Sequence, residues 1–303
     1  MSKDRLDVYI HPVGCNFDVT NDKCGIKRLR RELMKHQVSG VIIEATGKYH
    51  RLAHRSLSQS GIAVSVINPL RARLFAEARG TRAKTDRVDA RMLAHLGEAL
   101  MPMATLLAPE ILEELQEFVH ARHAATVQRT AVKNRLKASQ SPALTREFRR
   151  MLTTIENHIK RLEKHAAKLI AGDPVLAQRR DILMSVPGIG PVVAATLIAD
   201  MPELGTVSRQ AAACLAGVAP FADDSGNSEG IRHIKGGRSK PRQALYWASM
   251  SARKYNPDMK TFYDRLIGKG KKKKLALTAV MRKLIILANT LITQNRLWQP
   301  VRP

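Results

Sequence analysis

Residues 38–45 read VSGVIIEA, a short apolar run rich in β-branched side chains that ends in a carboxylate at Glu44. Such a run is typical of a strand that is buried on both faces of a parallel sheet. A second run of this kind, residues 62–68 (IAVSVIN), follows a helical stretch at residues 49–59. A strand, a helix and a second strand in this order predict a parallel crossover and therefore an α/β fold.

The flanking sequence extends this α/β unit in both directions. Residues 5–10 and 16–20 predict two strands of a hairpin, joined by the turn at residues 11–14. A basic amphipathic helix is expected at residues 22–35, before the first buried strand. After the second buried strand, Pro69 begins a helix that runs to Ala78, and residues 85–100 predict another.

The chain changes character after residue 101, where Pro102 and Pro109 mark a boundary. Residues 110–136 predict one long helix, and a second helix carries apolar residues at alternating spacings of three and four. These residues are Leu152, Ile155, Ile159, Leu162, Ala166 and Leu169. The spacing indicates a heptad seam, which needs the first helix or another protomer as its partner. We therefore predict an N-terminal α/β domain at 1–101, a helical coiled-coil linker at 102–172 and a mostly helical C-terminal domain at 173–303.

The composition indicates a folded protein with a polyanionic partner. The 303 residues carry a net charge of +25, and 44% of them are hydrophobic, which excludes a disordered basic tail. Residues 231–303 hold 18 Lys and Arg but only two acidic residues, a net charge of +16. Such a surface attracts phosphate backbones with little sequence preference. Three cysteines, and an apolar stretch at 275–292 interrupted by Arg282 and Lys283, predict a cytoplasmic protein with no membrane partner.

Three carboxylates lie at positions that suit a Mg²⁺ site. Glu44 ends a buried strand, where open α/β sheets place their ligands, and Asp86 and Asp89 share one face at the start of a helix. Mg²⁺ prefers such oxygen ligands. The alternative is that the two aspartates favour a helix N-terminus capped by Thr85, and that Glu44 pairs with a nearby lysine.

Two segments of the C-terminal region are candidates for contact with nucleic acid. Gly188 and Gly190 lie between helices in the sequence PGIGP, where the backbone can approach a phosphate; a tight turn in a helical bundle is an equal alternative. Lys271 and Lys272 belong to a basic run that also fits a solvated loop. His120 and His123 are interpreted as surface histidines.

A loop at residues 219–227 contains a Ser-Gly pair at Ser225, with Lys235, Arg238 and Arg242 downstream. An exposed hydroxyl near cations could act as a nucleophile, the cations stabilising phosphoryl charge. Most serines in loops are only turn residues, so the alternative stays open.

Taken together, these motifs resemble the IS110 family of insertion-sequence transposases, which are DEDD-type, serine-using recombinases guided by a bridge RNA. The matching stretches run in family order along nearly the whole chain. They are residues 2–8 (SKDRLDV), 44–47 (EATG), 83–90 (AKTDRVDA), 187–190 (PGIG), 216–220 (AGVAP) with 225–226 (SG), and 235–236 (KG) with Arg242.

The resemblance implies a RuvC-like RNase H fold for the N-terminal domain and a C-terminal transposase domain that carries the serine. It assigns Glu44, Asp86 and Asp89 to the family's second, third and fourth acidic residues, which bind Mg²⁺, and Ser225 to its nucleophile. The implied activity is strand cleavage and exchange through a 5′-phosphoserine. The implied partners are donor and target double-stranded DNA, a bridge RNA, and further copies of the chain in a dimer or tetramer.

One departure from the family pattern concerns the first acidic residue. In the family this Asp precedes the matched Ser2-Lys3, and at the corresponding place it would lie ahead of Met1. Neither Asp4 nor Asp7 is a matched replacement. We expect either a start assigned too late, with one strand missing, or an inactive copy. The rival functions are a metal-dependent nuclease or Holliday-junction resolvase, and a nucleic-acid-binding scaffold without activity.

Overall fold

The structure is a computed structural model that describes residues 2–45, 47–80, 85–222, 230 and 232–300, except for the side chain of Asp86. The chain forms two compact units, unit 1 at residues 1–108 and unit 2 at residues 109–303. Unit 1 contains β1 (Arg5–Ile10), β2 (Cys15–Thr20), α1 (Lys23–Lys35), β3 (Val41–Glu44), α2 (Arg51–Gln59), β4 (Val64–Ile67), α3 (Pro69–Ala78) and α4 (Asp86–Leu100).

The strands of unit 1 confirm the predicted hairpin and the predicted crossover. β1 and β2 pair antiparallel, with Arg5 opposite Thr20, and β3 and β4 pair parallel, with Glu44 opposite Ile67. β3 is shorter than the predicted strand at 38–45, because the backbone N–H of Val38 still bonds to the carbonyl of Leu33 at the end of α1. Unit 1 is thus of the α/β class.

Helix α1 packs its apolar face on this hairpin. Asp22 caps the helix by accepting a hydrogen bond from the backbone N–H of Gly25 at 2.8 Å. The core of unit 1 is formed by apolar residues from both strand pairs and from α1 and α2: Leu6, Ile10, Val19, Ile26, Leu29, Leu33, Ile43, Ala53, Leu57 and Val64.

The two strand pairs of unit 1 are separate sheets within the described part of the chain. β1 and β3 line opposite sides of a cavity of about 620 Å³, to which α1 contributes Leu29 and α4 contributes Leu93. We call this space the inter-sheet cavity. α4 lies close to β3 because Gly97 has no side chain: a Cβ there would lie 2.5 Å from Cγ1 of Ile42.

The segment after α4 packs on unit 1. Thr105 donates its backbone N–H to the carbonyl of Val64 at 2.7 Å, and the side chain of Arg55 donates to the carbonyl of Ala108 at 2.9 Å. Unit 1 therefore extends to residue 108 rather than 101. The division into three functional domains stays a prediction.

Unit 2 is mostly helical. It contains α5 (Glu110–Ala138), α6 (Pro142–Gly172), α7 (Pro174–Met184), α8 (Pro191–Asp200), α9 (Arg209–Leu215), β5 (Pro220–Phe221), β6 (His233–Ile234), α10 (Ser239–Tyr255), α11 (Pro257–Gly268) and α12 (Lys273–Thr293). Together with unit 1, these elements confirm the α/β plus α class; the RuvC-like topology stays an expectation.

Helices α5 and α6 pack on each other as an arm. Ion pairs join Arg122 to Glu163 at 2.9 Å and Lys133 to Glu156 at 3.4 Å, a pairing that shows the helices run antiparallel. At the base of the arm, apolar residues of both helices enter the main core of unit 2. Further out, Ile159 and Leu162 are buried, whereas Leu152 is half-buried. Helix α5 therefore packs on the predicted heptad seam of α6 within the same chain.

Helix α12 is a core helix of unit 2. It is long and apolar enough to pass a length-and-hydropathy test for a membrane span, with a mean hydropathy of 1.7. Its apolar side chains, however, are buried among the other helices, including Val280, Leu284 and Ala288. The burial accounts for its composition without a membrane.

Candidate functional site

Glu44 and Asp89 line the same cavity in unit 1. Glu44 is the last residue of β3, is half-buried, and contributes to the inter-sheet cavity together with Asp89 of α4. Within the described residues Glu44 forms no ion pair with Lys48, so the pairing considered from the sequence is not seen. Two of the three predicted carboxylates are thus brought to one space.

The start of α4 is capped by Thr85. Its hydroxyl oxygen accepts a hydrogen bond from the backbone N–H of Val88 at 3.3 Å, and its carbonyl accepts one from the backbone N–H of Asp89 at 2.9 Å. Because Thr85 provides the cap, the half-buried Asp89 carboxylate is not needed for capping, and Asp89 lines the cavity instead. Asp86 is the first residue of α4, and its side chain lies outside the described residues.

Asp7 is a further carboxylate of the inter-sheet cavity, which the sequence analysis did not assign. Its side chain is only 7% exposed and pairs with Arg5 at 3.0 Å. A signal for it existed in the alternation of β1, which places Asp7 on the face opposite the buried Leu6 and Ile10. The nearness of β1 to Glu44, in contrast, is a tertiary fact that no local pattern contains.

Asp7, Glu44 and Asp89 offer carboxylate oxygens, the kind of ligand that Mg²⁺ prefers when substrate phosphates complete its shell. Among the described residues, however, these three carboxylates do not lie close enough together to form a three-ligand group. The side chain of Asp86, the remaining predicted ligand, lies outside the described residues.

The loop that carries Ser225 is held at both ends by a short hairpin stem. Ser225 lies outside the described residues, but β5 and β6 pair antiparallel, with Phe221 opposite His233. Behind the stem, Arg242 donates hydrogen bonds to the carbonyls of Gly236 at 3.0 Å and Gly217 at 3.3 Å. Arg242 therefore braces the two chain segments that lead into and out of the stem.

The predicted cations divide into two kinds. Arg238 donates to the backbone carbonyl of Asp200 at 2.8 Å and pairs with Glu203, so its guanidinium, like that of Arg242, is engaged by the protein. Lys235, Lys271 and Lys272 are exposed. Lys235 lies beside the stem, whereas Lys271 and Lys272 precede α12. The three lysines are the cations best placed for contact with phosphates.

Gly188 and Gly190 have different environments. Gly188 has a φ of +108°, and a Cβ there would lie 2.6 Å from Cβ of Ala252, so α10 packs directly on this turn. Gly190 is the N-cap of α8 and has no neighbour that a Cβ would meet within 4 Å. The tight-turn interpretation fits Gly188, and the open backbone needed for phosphate approach is present at Gly190.

A buried carboxylate in unit 2 was missed by the sequence analysis. Asp200, at the end of α8, accepts hydrogen bonds from Nε2 of His120 at 2.8 Å and from the amide of Gln116 at 3.2 Å. His120 is 37% exposed, in agreement with its interpretation as a surface histidine, but its ring is also tied to a buried carboxylate, which the sequence analysis did not expect. The spacing of residues 116 and 120 on one helix face was the available signal.

His123 lies near this carboxylate and among cations. Partial burial lowers the pKa of His123, and the positive charges of Lys240 and Arg122 lower it further, against a smaller opposite effect from Asp200. The imidazole of His123 therefore stays neutral at a lower pH than an ordinary histidine does.

Comparisons with known proteins place most of the chain in one group. Residues 13–148 match the DEDD transposase model of IS110 elements, and residues 180–264 match the model described as a transposase of the IS116/IS110/IS902 family. The first match includes Glu44, Asp86 and Asp89, and the second includes Ser225.

Several curated proteins are similar to the chain. A pilin gene-inverting protein of Moraxella bovis is 29% identical over 297 residues, which cover 94% of this chain and 91% of that protein. Its counterpart in Moraxella lacunata has the same identity and coverage. An uncharacterised 43.6 kDa protein of the insertion element IS110 from Streptomyces coelicolor is 27% identical over 155 residues, half of this chain and 37% of that protein.

Proposed function

The chain belongs to the IS110 family of insertion-sequence transposases, and from this premise we propose that it recombines DNA through a covalent phosphoserine. The observation that carries the proposal is that Glu44 and Asp89 line one cavity, inside the segment matched by the DEDD transposase model. Asp86 and Ser225 are added to the proposed site because the resemblance to the family assigns them to it.

In the proposed reaction the Oγ atom of Ser225 attacks a DNA phosphorus. The Oγ–P bond forms, the bond from phosphorus to the 3′ oxygen breaks, and the serine proton is finally carried by the released 3′ hydroxyl. The 5′-phosphoserine conserves the bond energy, so that a second 3′ hydroxyl can reseal the strand by the reverse step. Bound Mg²⁺ would neutralise charge on the phosphoryl group.

The described residues support separate roles in this reaction. Arg242 joins Gly217 and Gly236, which flank the β5–β6 stem, and Ser225 lies between the two strands of that stem in the sequence. The carboxylates at the inter-sheet cavity hold the cation, and the exposed Lys235, Lys271 and Lys272 bind DNA or RNA backbones. A bridge RNA that selects donor and target, and an oligomer of the chain, belong to the proposal because the family uses both.

The decisive experiment is trapping of a protein–DNA adduct on a donor duplex in the presence of Mg²⁺. We expect a covalent adduct that is lost in Ser225→Ala and strongly reduced in Asp89→Asn. Cleavage that survives Ser225→Ala but fails in Asp89→Asn supports the rival metal-dependent nuclease or Holliday-junction resolvase. Binding without cleavage supports the scaffold.

A second candidate is site-specific inversion of DNA. It is favoured by one observation, which is that both relatives covering more than nine-tenths of the chain are named for gene inversion. A plasmid carrying a segment between inverted candidate sites separates the two functions. Inversion of the segment supports the second candidate, whereas excision or insertion of an element supports transposition.

A further inference from the structure

Two histidines and a glutamate converge in unit 1, and two of them, His11 and Glu98, line another part of the inter-sheet cavity. His11 lies in the turn between β1 and β2, and His95 and Glu98 are one turn apart on α4. One oxygen of the Glu98 carboxylate lies 3.0 Å from Nε2 of His11, and the other lies 3.5 Å from Nδ1 of His95. The two imidazole rings meet edge to face, with their centres 4.8 Å apart.

This arrangement matches the ligand set of a zinc-type ion. One ligand atom from each side chain can be chosen so that all three lie within 4.8 Å of one another. A tetrahedral Zn²⁺ holds nitrogen and oxygen ligands at about 2.0–2.2 Å, which places neighbouring ligand atoms about 3.3–3.5 Å apart. Small side-chain rotations bring the three atoms to that spacing, and imidazole ligands favour zinc-type ions over Mg²⁺.

The surroundings leave this site available to an ion. Nδ1 of His11 is buried and has no hydrogen-bond partner within the described part of the chain, so no second contact fixes which ring nitrogen faces Glu98. The side chain of Glu98 is 59% exposed, which gives a path for entry and a place for a water ligand. Three protein ligands with a water molecule in the fourth position are a known coordination of Zn²⁺, found in catalytic zinc sites, whereas structural sites use four protein ligands.

The cluster is distinct from the proposed Mg²⁺ site. Asp89 and His95 are six residues apart on α4, which corresponds to about 9 Å along the helix axis. The two groups of ligands therefore lie toward opposite ends of the same helix. An ion at the second site would join the β1–β2 turn to α4, and so fix the helix that positions Asp89.

We propose that His11, His95 and Glu98 bind a divalent transition-metal ion of the zinc type, which clamps the hairpin turn to α4. The proposal does not depend on recombinase activity.

The test is metal binding to the full chain after treatment with a chelator. Titration with Zn²⁺ should give one site that is lost or weakened about tenfold or more in His95→Ala and in Glu98→Gln. Zn²⁺ should also raise the melting temperature of the wild-type protein but not of these variants, and Mg²⁺ should not reproduce the effect. The side chain of Glu98 is exposed, so Glu98→Gln should still fold. This variant therefore tests the proposal even where His95→Ala fails to fold.

Matched controls are Glu77→Gln, an exposed helical carboxylate that pairs with Arg73, and His158→Ala, an exposed helical histidine. Both should bind Zn²⁺ as the wild type does. Equal Zn²⁺ affinity and stoichiometry in the wild type and Glu98→Gln overturn the proposal, and so does the absence of any binding by the wild type. In either case the cluster is only a hydrogen-bonded group.

Discussion

At the scale of single residues, substitutions at Gly188 and Gly190 can distinguish a role in packing from a role in contact with nucleic acid. Gly188→Ala should destabilise unit 2 by about 1–3 kcal/mol, because the added Cβ meets Ala252 of α10 and the positive φ is strained. Urea unfolding monitored by circular dichroism measures the loss.

Gly190→Ala is the control, since nothing lies within 4 Å of a Cβ at that position. It should leave the stability nearly unchanged. Weaker DNA binding in this variant alone would assign the backbone at Gly190 to phosphate contact. Equal destabilisation by both substitutions would contradict the packing argument.

His123 gives a prediction about pH. Burial and the nearby Lys240 and Arg122 hold its pKa below the ordinary value of 6.5, so the unfolded chain binds this proton more readily than the folded protein. The contribution to stability is therefore fully present above about pH 6.5 and is lost as the pH falls through the lowered pKa. The drop in melting temperature between about pH 7.5 and about pH 5.5 should be smaller in His123→Gln than in the wild type. An equal drop in both proteins would show that other groups dominate.

At the scale of elements, the five helices whose bounds were predicted from the sequence, α1 to α5, agree with the structure to within two residues, because local chemistry marks helix ends. Asp22 caps α1, and proline at the first position begins α3. β3 was predicted too long, since Val38 still closes α1 through a backbone hydrogen bond. The candidate site was predicted less completely. Glu44 and Asp89 were named from the sequence and line one cavity. That Asp7 lines the same cavity, and that Asp200 contacts His120, are tertiary facts that local patterns only hint at.

The arm of α5 and α6 provides a test of what covers the heptad seam. Ile159→Ala should cost about 2–3 kcal/mol because Ile159 is buried between the two helices. Leu152→Ala should cost roughly half of that or less, since Leu152 is half-buried. Thermal unfolding of the two variants gives the comparison. Equal costs, together with a change in oligomeric state, would show that another protomer covers the outer seam.

At the scale of the whole molecule, the net charge of +25 predicts DNA affinity that depends steeply on salt. The exposed Lys271 and Lys272 should contribute to this dependence. The double alanine variant should lower the slope of log K against log salt by about 1–2, measured by fluorescence anisotropy with a duplex. Lys133→Ala is the matched control, because Lys133 pairs with Glu156. An unchanged slope in the double variant would mean that the basic run stays solvated.

The second edge of β1 also affects how the protein is best purified. Among the described residues β1 pairs with β2 alone, so its other edge offers backbone groups to which an extended peptide can add. An affinity tag is such a peptide. Because β1 lines the inter-sheet cavity, a tag strand added there would narrow the cavity that Glu44 and Asp89 also line, and would lower the measured activity. Removal of any affinity tag before each assay is therefore part of a valid measurement on this chain.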